Sequence, residues 1–331
     1  MQRITRRQAL GSTLGAGLSL VMPRAFAQDA AVRNARVTVG FPAGDMADSL
    51  ARLISEHIRG KYAEAMLVDN KPGAAARLAI TGFVKYKTDG SEVLFTPGAM
   101  ITLFPHVFEK LPYEPLTELK PVTRIATSAF GLAVGPAAPA EVKTLEQYLA
   151  WARRDARNGS YATSGAGSGI HLTAEYLARL AKTPLTMVPY KGGAPAMADL
   201  VGGQIPAQMA TIPSLIEHAR AGKIRFLAVS SEERLKVLPD VPTFKELGFP
   251  QLVTEDFFGF FLPGNGSNES AQSLNRSIQT AMKDPKVIGT LENLGLSISL
   301  SASPAEFTSY VTAEHRKWGE IAKRIDFKPM A

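Results

Sequence analysis

The chain has 331 residues, 37 Lys and Arg against 30 Asp and Glu, a formal net charge of +7 and no cysteine. The lack of cysteine excludes disulfides, thiolate metal sites and a cysteine nucleophile, so stability must come from core burial, which a chain this long supplies most naturally as two domains. The charge is concentrated at the start: residues 1–27 hold four arginines and no acid, and the 304 residues after them carry only +3, interspersed, which gives no support to a nucleic-acid partner.

In chain order, residues 1–27 read as an export address. Arg3, Arg6 and Arg7 form a basic start, Leu10 to Val21 is a short apolar run, and Ala25-Phe26-Ala27 is an A-x-A cleavage site. The run is too short and too rich in Gly and Ser to span a bilayer. Thr5-Arg6-Arg7-Gln8-Ala9-Leu10 also fits a twin-arginine signal, with Ala9 less apolar than usual there. The expectation is a soluble periplasmic protein, its signal removed near Ala27. No later segment has the length and hydrophobicity of a membrane span.

Strand-like and helix-like segments then alternate, the pattern of α/β folds with mainly parallel sheets. Strands are expected at Arg36–Phe41, Ala65–Val68 and Glu92–Phe95. Helices are expected at Asp48–Arg59, where Leu50, Leu53, Ile54 and Ile58 share a face, and around Ala76–Lys85. A second set starts at Phe130–Val134 and includes strands Gly159–Thr163, Thr186–Pro189, Ala207–Ala210 and Arg225–Val229. Its helices are Leu145–Arg157, His171–Leu180, Ala194–Val201 and Ile212–Ala221. Phe257–Leu262 is a further apolar strand, and Glu269–Met282, Lys286–Leu294 and Pro304–Ile325 are helical.

Two strand–loop–helix junctions have the composition of anion sites, because free N–H groups and the positive end of a helix dipole gather at such places. The first runs through Phe41, Pro42, Ala43, Gly44, Asp45 and Met46 to Asp48. Pro42 to Met46 would form one wall of a ligand cleft; equally, Asp45 and Asp48 are acids that cap the helix, and Asp48 can pair with Arg52 at i+4. The second runs through Ser164, Gly165, Ala166, Gly167 and Ser168 to His171. It reads as an anion cradle or as a plain tight turn. A dinucleotide loop would need glycine at Ile170, and a nucleophile elbow would need glycine at Ala162 or Ala166.

His171 can orient a carboxylate or simply cap and pack. Tyr190 can cover a ligand and Lys191 can pair with an acid, or both belong to a surface turn. The five histidines show no metal-ligand spacing, and neither cofactor nor metal is expected. Asp256-Phe257-Phe258-Gly259 reads as a buried strand, with Phe257 and Phe258 reaching toward the cleft.

These segments together resemble the extracytoplasmic solute receptors of tripartite tricarboxylate transporters, the Bug receptors. Their F-P-x-G-G-x-x-D-x-x-A-R is followed by Phe41-Pro42-Ala43-Gly44-Asp45-Met46-Ala47-Asp48-Ser49-Leu50-Ala51-Arg52, and their N-R-P-G-A-G-G by Asn70-Lys71-Pro72-Gly73-Ala74-Ala75-Ala76. Ser164-Gly165-Ala166-Gly167-Ser168, Val188-Pro189-Tyr190-Lys191-Gly192-Gly193 and Leu238-Pro239-Asp240-Val241-Pro242-Thr243 continue the series in the family's order. Asp45 departs from it, standing where the family has its second glycine, and Ala75-Ala76-Arg77 occupy a place where Gly-Gly is usual.

The resemblance implies a two-lobed type II periplasmic-binding-protein fold, a Venus flytrap with mainly parallel sheets and crossing hinge strands. Lobe 1 would comprise 32–128 and 258–331, and lobe 2 129–257. It implies a non-enzymatic, monomeric receptor that closes on a small organic acid or amino-acid-like ligand and delivers it to the permease subunits of such a transporter. In this reading Pro42 to Met46 and Ser164 to Ser168 hold a carboxylate, and Asp48, Tyr190 and Gly192 line the cleft; Phe41 and His171 are counted with them as candidate ligand-binding residues. Two other functions stay open: a receptor reporting to a membrane sensor, and an exported hydrolase.

Overall fold

The computed structural model describes residues 32–87, 89–163, 165–190 and 192–331. The expected export segment lies outside the described residues, as do Ser164 and Lys191. The chain opens with β1 (Val32–Val39), α1 (Met46–Ile58), β2 (Ala63–Asn70), α2 (Arg77–Phe83) and β3 (Glu92–Pro97). β1 lies between β2 and β3 and parallel to both, Val37 pairing with Val68 and Val93. Three short helices, α3 (Ala99–Thr102), α4 (Phe104–Val107) and α5 (Pro115–Glu118), lead into β4 (Leu119–Val134).

The next set comprises α6 (Leu145–Ala152), β5 (Ser160–Thr163), α7 (Gly169–Leu180), β6 (Thr186–Pro189), α8 (Gly193–Val201), β7 (Ala207–Thr211), α9 (Ile212–Arg220) and β8 (Arg225–Val229). Then come β9 (Glu255–Pro263), α10 (Asn268–Ala281), α11 (Pro285–Asn293), β10 (Ser297–Ile298) and α12 (Pro304–Arg324). The strands run in the order β2-β1-β3-β9-β4-β7-β5-β6, and β8 and β10 also pair with β4.

β4 joins the two halves of this sheet. The expected strand Phe130–Val134 is only its end; the strand has 16 residues. Leu119–Ala129 pairs antiparallel with β9, and Phe130–Val134 pairs antiparallel with β7 and β8. Its length is hidden in the sequence because every residue from Ile125 to Val134 is buried, so no polar residue alternates with apolar ones. Register shifts at Pro121/Thr123 and Arg124/Ala126 bend it along β9. β9 also pairs antiparallel with β3, whereas β5 runs parallel to β6 and β7.

Three apolar clusters fill the layers. Leu50, Ile54 and Ile58 of α1 meet Leu274 and Ile278 of α10 over β1, β3 and β9. Tyr148, Leu172, Phe307 and Trp318 belong to a second cluster, and Leu200, Ile212 and Leu215 to a third over the other half of the sheet. At about 1.5–3 kcal/mol per fully buried Leu, Ile or Phe, this burial stabilises a chain that has no disulfide. α12 packs on β4, α3, α4 and α7, and so touches elements on both sides of the crossing strands.

Helix ends follow capping chemistry. Thr144 and Gln147 form a reciprocal capping box at α6. That helix was expected to reach Arg157 but stops at Ala152, and Asp155 then caps a separate 3-10 turn by accepting the Arg157 N–H at 2.9 Å. No described helix is long and apolar enough to cross a membrane.

Candidate functional site

The second junction is built around the start of α7. Ser168 N-caps the helix: its Oγ accepts the His171 N–H at 3.2 Å and donates to the Gly165 carbonyl at 2.9 Å. The next two donors, the N–H groups of Gly169 and Ile170, belong to the first helical turn and find no acceptor among the described residues. Gly167 has φ +73°, and a Cβ placed on it would lie 2.3 Å from Met330 Cε, so the chain's end packs against this loop.

His171 serves the loop. Its Nδ1 accepts the Gly167 N–H at 3.1 Å, which leaves the hydrogen on Nε2, 3.7 Å from Glu175 Oε1. That contact, with a hydrogen bond from the Tyr161 hydroxyl, outweighs burial and holds the Glu175 carboxyl below the usual range. With Nδ1 accepting from Gly167 and Nε2 turned toward Glu175, His171 packs and orients the loop.

A cavity of about 250 Å³ opens beside this loop. Gly165 to Ile170 form one side; Ala75, Ala99 and Phe104 are among the residues on the other, with Phe130, Thr211 and Asp256 also on its surface. Its described lining contains no lysine, arginine or histidine. An anion entering here meets unsatisfied backbone donors at a helix start, with no competing charge from a basic side chain.

The first junction has a different interior. Asp45 N-caps α1, its Oδ1 accepting the Ala47 N–H at 3.0 Å. Asp48 is 3% exposed. Its Oδ2 accepts from Gly44 N–H at 2.8 Å and Arg52 Nε at 3.0 Å; its Oδ1 accepts from Asn70 Nδ2 at 2.8 Å and lies 2.9 Å from Arg52 Nη2 as an ion pair, while that Nη2 donates to Asn70 Oδ1 at 2.9 Å. Burial opposes the charge, but the hydrogen bonds from Arg52, Gly44 and Asn70 prevail and hold this carboxyl below its ordinary value. Asn70 Nδ2 also reaches the carbonyl of half-buried Phe41 at 3.0 Å. Asp48 is therefore a buckle for the loop, and both its oxygens are taken.

Pro42 to Asp45 are exposed and, like Met46, do not border the cavity. The residue on that side that does, Ala75, belongs to a turn in which Ala74, Ala75 and Ala76 have φ of 47°, 51° and 66°. Gly40 lets this turn pack on the end of β1, since a Cβ there would sit 2.3 Å from Ala76 Cβ. Tyr190 and Gly192 also lie off the cavity: the Tyr190 hydroxyl donates to Asp199 Oδ2 at 2.8 Å, and Gly192, at φ 111°, opens α8.

Asp256 is the residue that sequence reasoning passed over. It is the second residue of β9, just before Phe257 and Phe258, which turn into the core instead of the cleft: Phe257 packs edge-on against Phe307 at 5.4 Å and Phe258 stacks on Phe95 at 6.1 Å. Asp256 Oδ1 accepts the N–H groups of Ala99 at 3.0 Å and Phe257 at 2.9 Å. Burial pushes this carboxyl up to about 7 in spite of those bonds. The available signal was an acid at the head of an aromatic strand, which periodicity alone does not place on either face.

The description "Tripartite tricarboxylate transporter family receptor" matches residues 50–327. Among solved structures, an R. palustris protein with adipate superposes with a TM-score of 0.80 at 28% identity, covering 90% of this chain and 99% of that one. MatC from Rhodopseudomonas palustris, with bound malate, gives 0.75 at 26% identity over 88% and 99%. The periplasmic binding protein BugD gives 0.76 at 25% identity over 90% and 99%. The chain accordingly has the periplasmic-binding-protein fold and belongs to the tripartite tricarboxylate transporter receptor family.

Proposed function

We propose that this protein is an extracytoplasmic receptor that captures a small carboxylated metabolite and hands it to the membrane subunits of a tripartite transporter, acting as a monomeric, periplasmic binder and not as an enzyme. The observation that carries this reading is the cavity beside α7, where unpaired backbone donors of the first helical turn lie next to a mostly apolar space whose lining also includes Thr211 and Asp256. A carboxylate would be held there by N–H groups of the Gly165–Ile170 loop, while apolar groups such as Phe104 and Phe130 surround its carbon chain. The adipate and malate of the two solved relatives have this chemistry.

The lobes are proposed as 32–128 with 258–331, and 129–257, joined where β4 and β9 cross. Opening and closing about these strands would admit the ligand and present the occupied form to the permease. In the proposed site the second junction grips the anion. The first junction acts through the Ala74–Ala76 turn that rests on it, while Asp48 and His171 hold loops in shape.

Native mass spectrometry of gently purified protein, followed by thermal-shift screening of three- to eight-carbon mono- and dicarboxylic acids, tests the reading. A ligand at 100 times its Kd is expected to stabilise the fold by about 2.7 kcal/mol. If no acid co-purifies and none raises the Tm, the receptor reading fails.

A further inference from the structure

We propose that Asp256 selects the ligand, and that the preferred solute carries, besides its carboxylate, a cationic hydrogen-bond donor, an ammonium group, placed against Oδ2 of Asp256. This rests on the receptor reading above and names the solute class within it.

The argument starts from what Asp256 lacks. Its Oδ1 is anchored by the N–H groups of Ala99 and Phe257, and the Gly98 N–H, which donates to the Phe257 carbonyl, also favours its charged form; no side chain among the described residues donates to its Oδ2. The residue is partly exposed and borders the cavity. Among the described residues no cation forms an ion pair with it. The charged side chain that acts on it is an acid, Glu314 of α12, itself paired with Lys317 at 2.8 Å, and its neighbour on β9 is a second acid, Glu255. Arg77, on the side of Ala75, lies over the Phe108 ring at 4.0 Å and donates its Nε to the Ala74 carbonyl.

The cavity therefore has two unequal polar features: backbone donors at the start of α7 and one carboxyl with a spare acceptor. A plain dicarboxylate satisfies the first and confronts the second with like charge. A molecule carrying both a carboxylate and an ammonium satisfies both, and the ammonium supplies the countercharge that the protein withholds. The desolvation that raises the Asp256 carboxyl acts in the same direction, because a ligand cation restores its charged form at a site where water is scarce. The two anchoring N–H bonds hold the carboxyl in place before the ligand arrives, so its selectivity carries little ordering cost.

The test is calorimetric titration of the mature chain at pH 8 with matched pairs, glutarate against glutamate and adipate against 2-aminoadipate. The amino member of at least one pair should bind at least about tenfold tighter, the range of a hydrogen bond to a charged group. Asp256→Asn keeps an oxygen for the Ala99 and Phe257 donors and so should melt as a folded protein, yet it should erase that preference.

Equal binding of both members, or a preference untouched by Asp256→Asn, overturns the inference while leaving the receptor reading intact. Plain dicarboxylates that bind tighter as pH falls from 8 to 6, an effect lost in Asp256→Asn, also overturn it, because Asp256 would then be donating a proton to the ligand. If no acid of either kind binds, the receptor reading falls and this inference falls with it.

Discussion

The two junctions share one local grammar and spend it oppositely. Each carries a strand through small residues into a helix start. In the first, Asp45 takes one of the opening donors of α1, and Asp48 is buried one turn on, tied to Gly44, Arg52 and Asn70. The positive end of that helix is neutralised from within. In the second, a single serine caps α7, no acid follows in the first turn, and the Gly169 and Ile170 donors stay open beside a cavity. A helix start becomes an anion site only where the chain's own acids leave it unsatisfied.

The sharpest break in that contrast is Asp48→Ala. It strands the Gly44 and Asn70 donors and frees Arg52; since Arg52 is half-exposed and can turn to water, the expected loss is about 2–3 kcal/mol, below the full cost of splitting a buried pair. Urea midpoints measure it, and the affinity of the folded protein for acids should not change. The same variant carries a pH signature. Because the folded Asp48 is held below its unfolded value, near 4, its contribution is complete above that value and declines as pH falls through the lower folded one. The acid limb of stability should therefore be shallower in Asp48→Ala than in the wild type.

Next comes Gly167→Ala. Left-handed backbone costs an L-residue roughly 1–2 kcal/mol, and the new methyl must displace the Met330 side chain. A loss near that range in thermal unfolding is expected, with weakened acid binding, since this loop borders the cavity. Binding unchanged at full occupancy would separate the loop from the site.

Ser168→Ala and Asp45→Ala make a balanced pair. Each removes one N-cap, worth about 1 kcal/mol, and melts should fall by similar amounts. Only Ser168→Ala should weaken ligand, because Asp45 lies outside the cavity lining. Equal losses of affinity would show that the first junction also grips the anion. The smallest effect is expected from Ala75→Gly: relief of a left-handed alanine, offset by a looser unfolded chain, should gain about 0.5 kcal/mol in urea unfolding.

Much of this fold was legible in the residues. The amphipathic face of α1, the buried run of β3 and the Ser168 start of α7 follow from spacing and capping chemistry that act over a few residues. β4 was not legible, because a strand buried on both faces carries no alternation, and its long first part is defined by its pairing with β9. Within the site, the small-residue loop before His171 was readable, and the bland alternative for Asp48, pairing with Arg52, was already visible at i+4. Asp256 was hidden: its role depends on Ala99, 157 positions away, coming within hydrogen-bond reach.

By itself, then, the sequence determined the α/β alternation, the helix caps and the two junctions as possible anion sites, since each depends on neighbours along the chain. Only the tertiary structure decided between the junctions. Burial and long-range hydrogen bonding, such as Asn70 to Asp48, set which charges are satisfied internally and which donors still face open space.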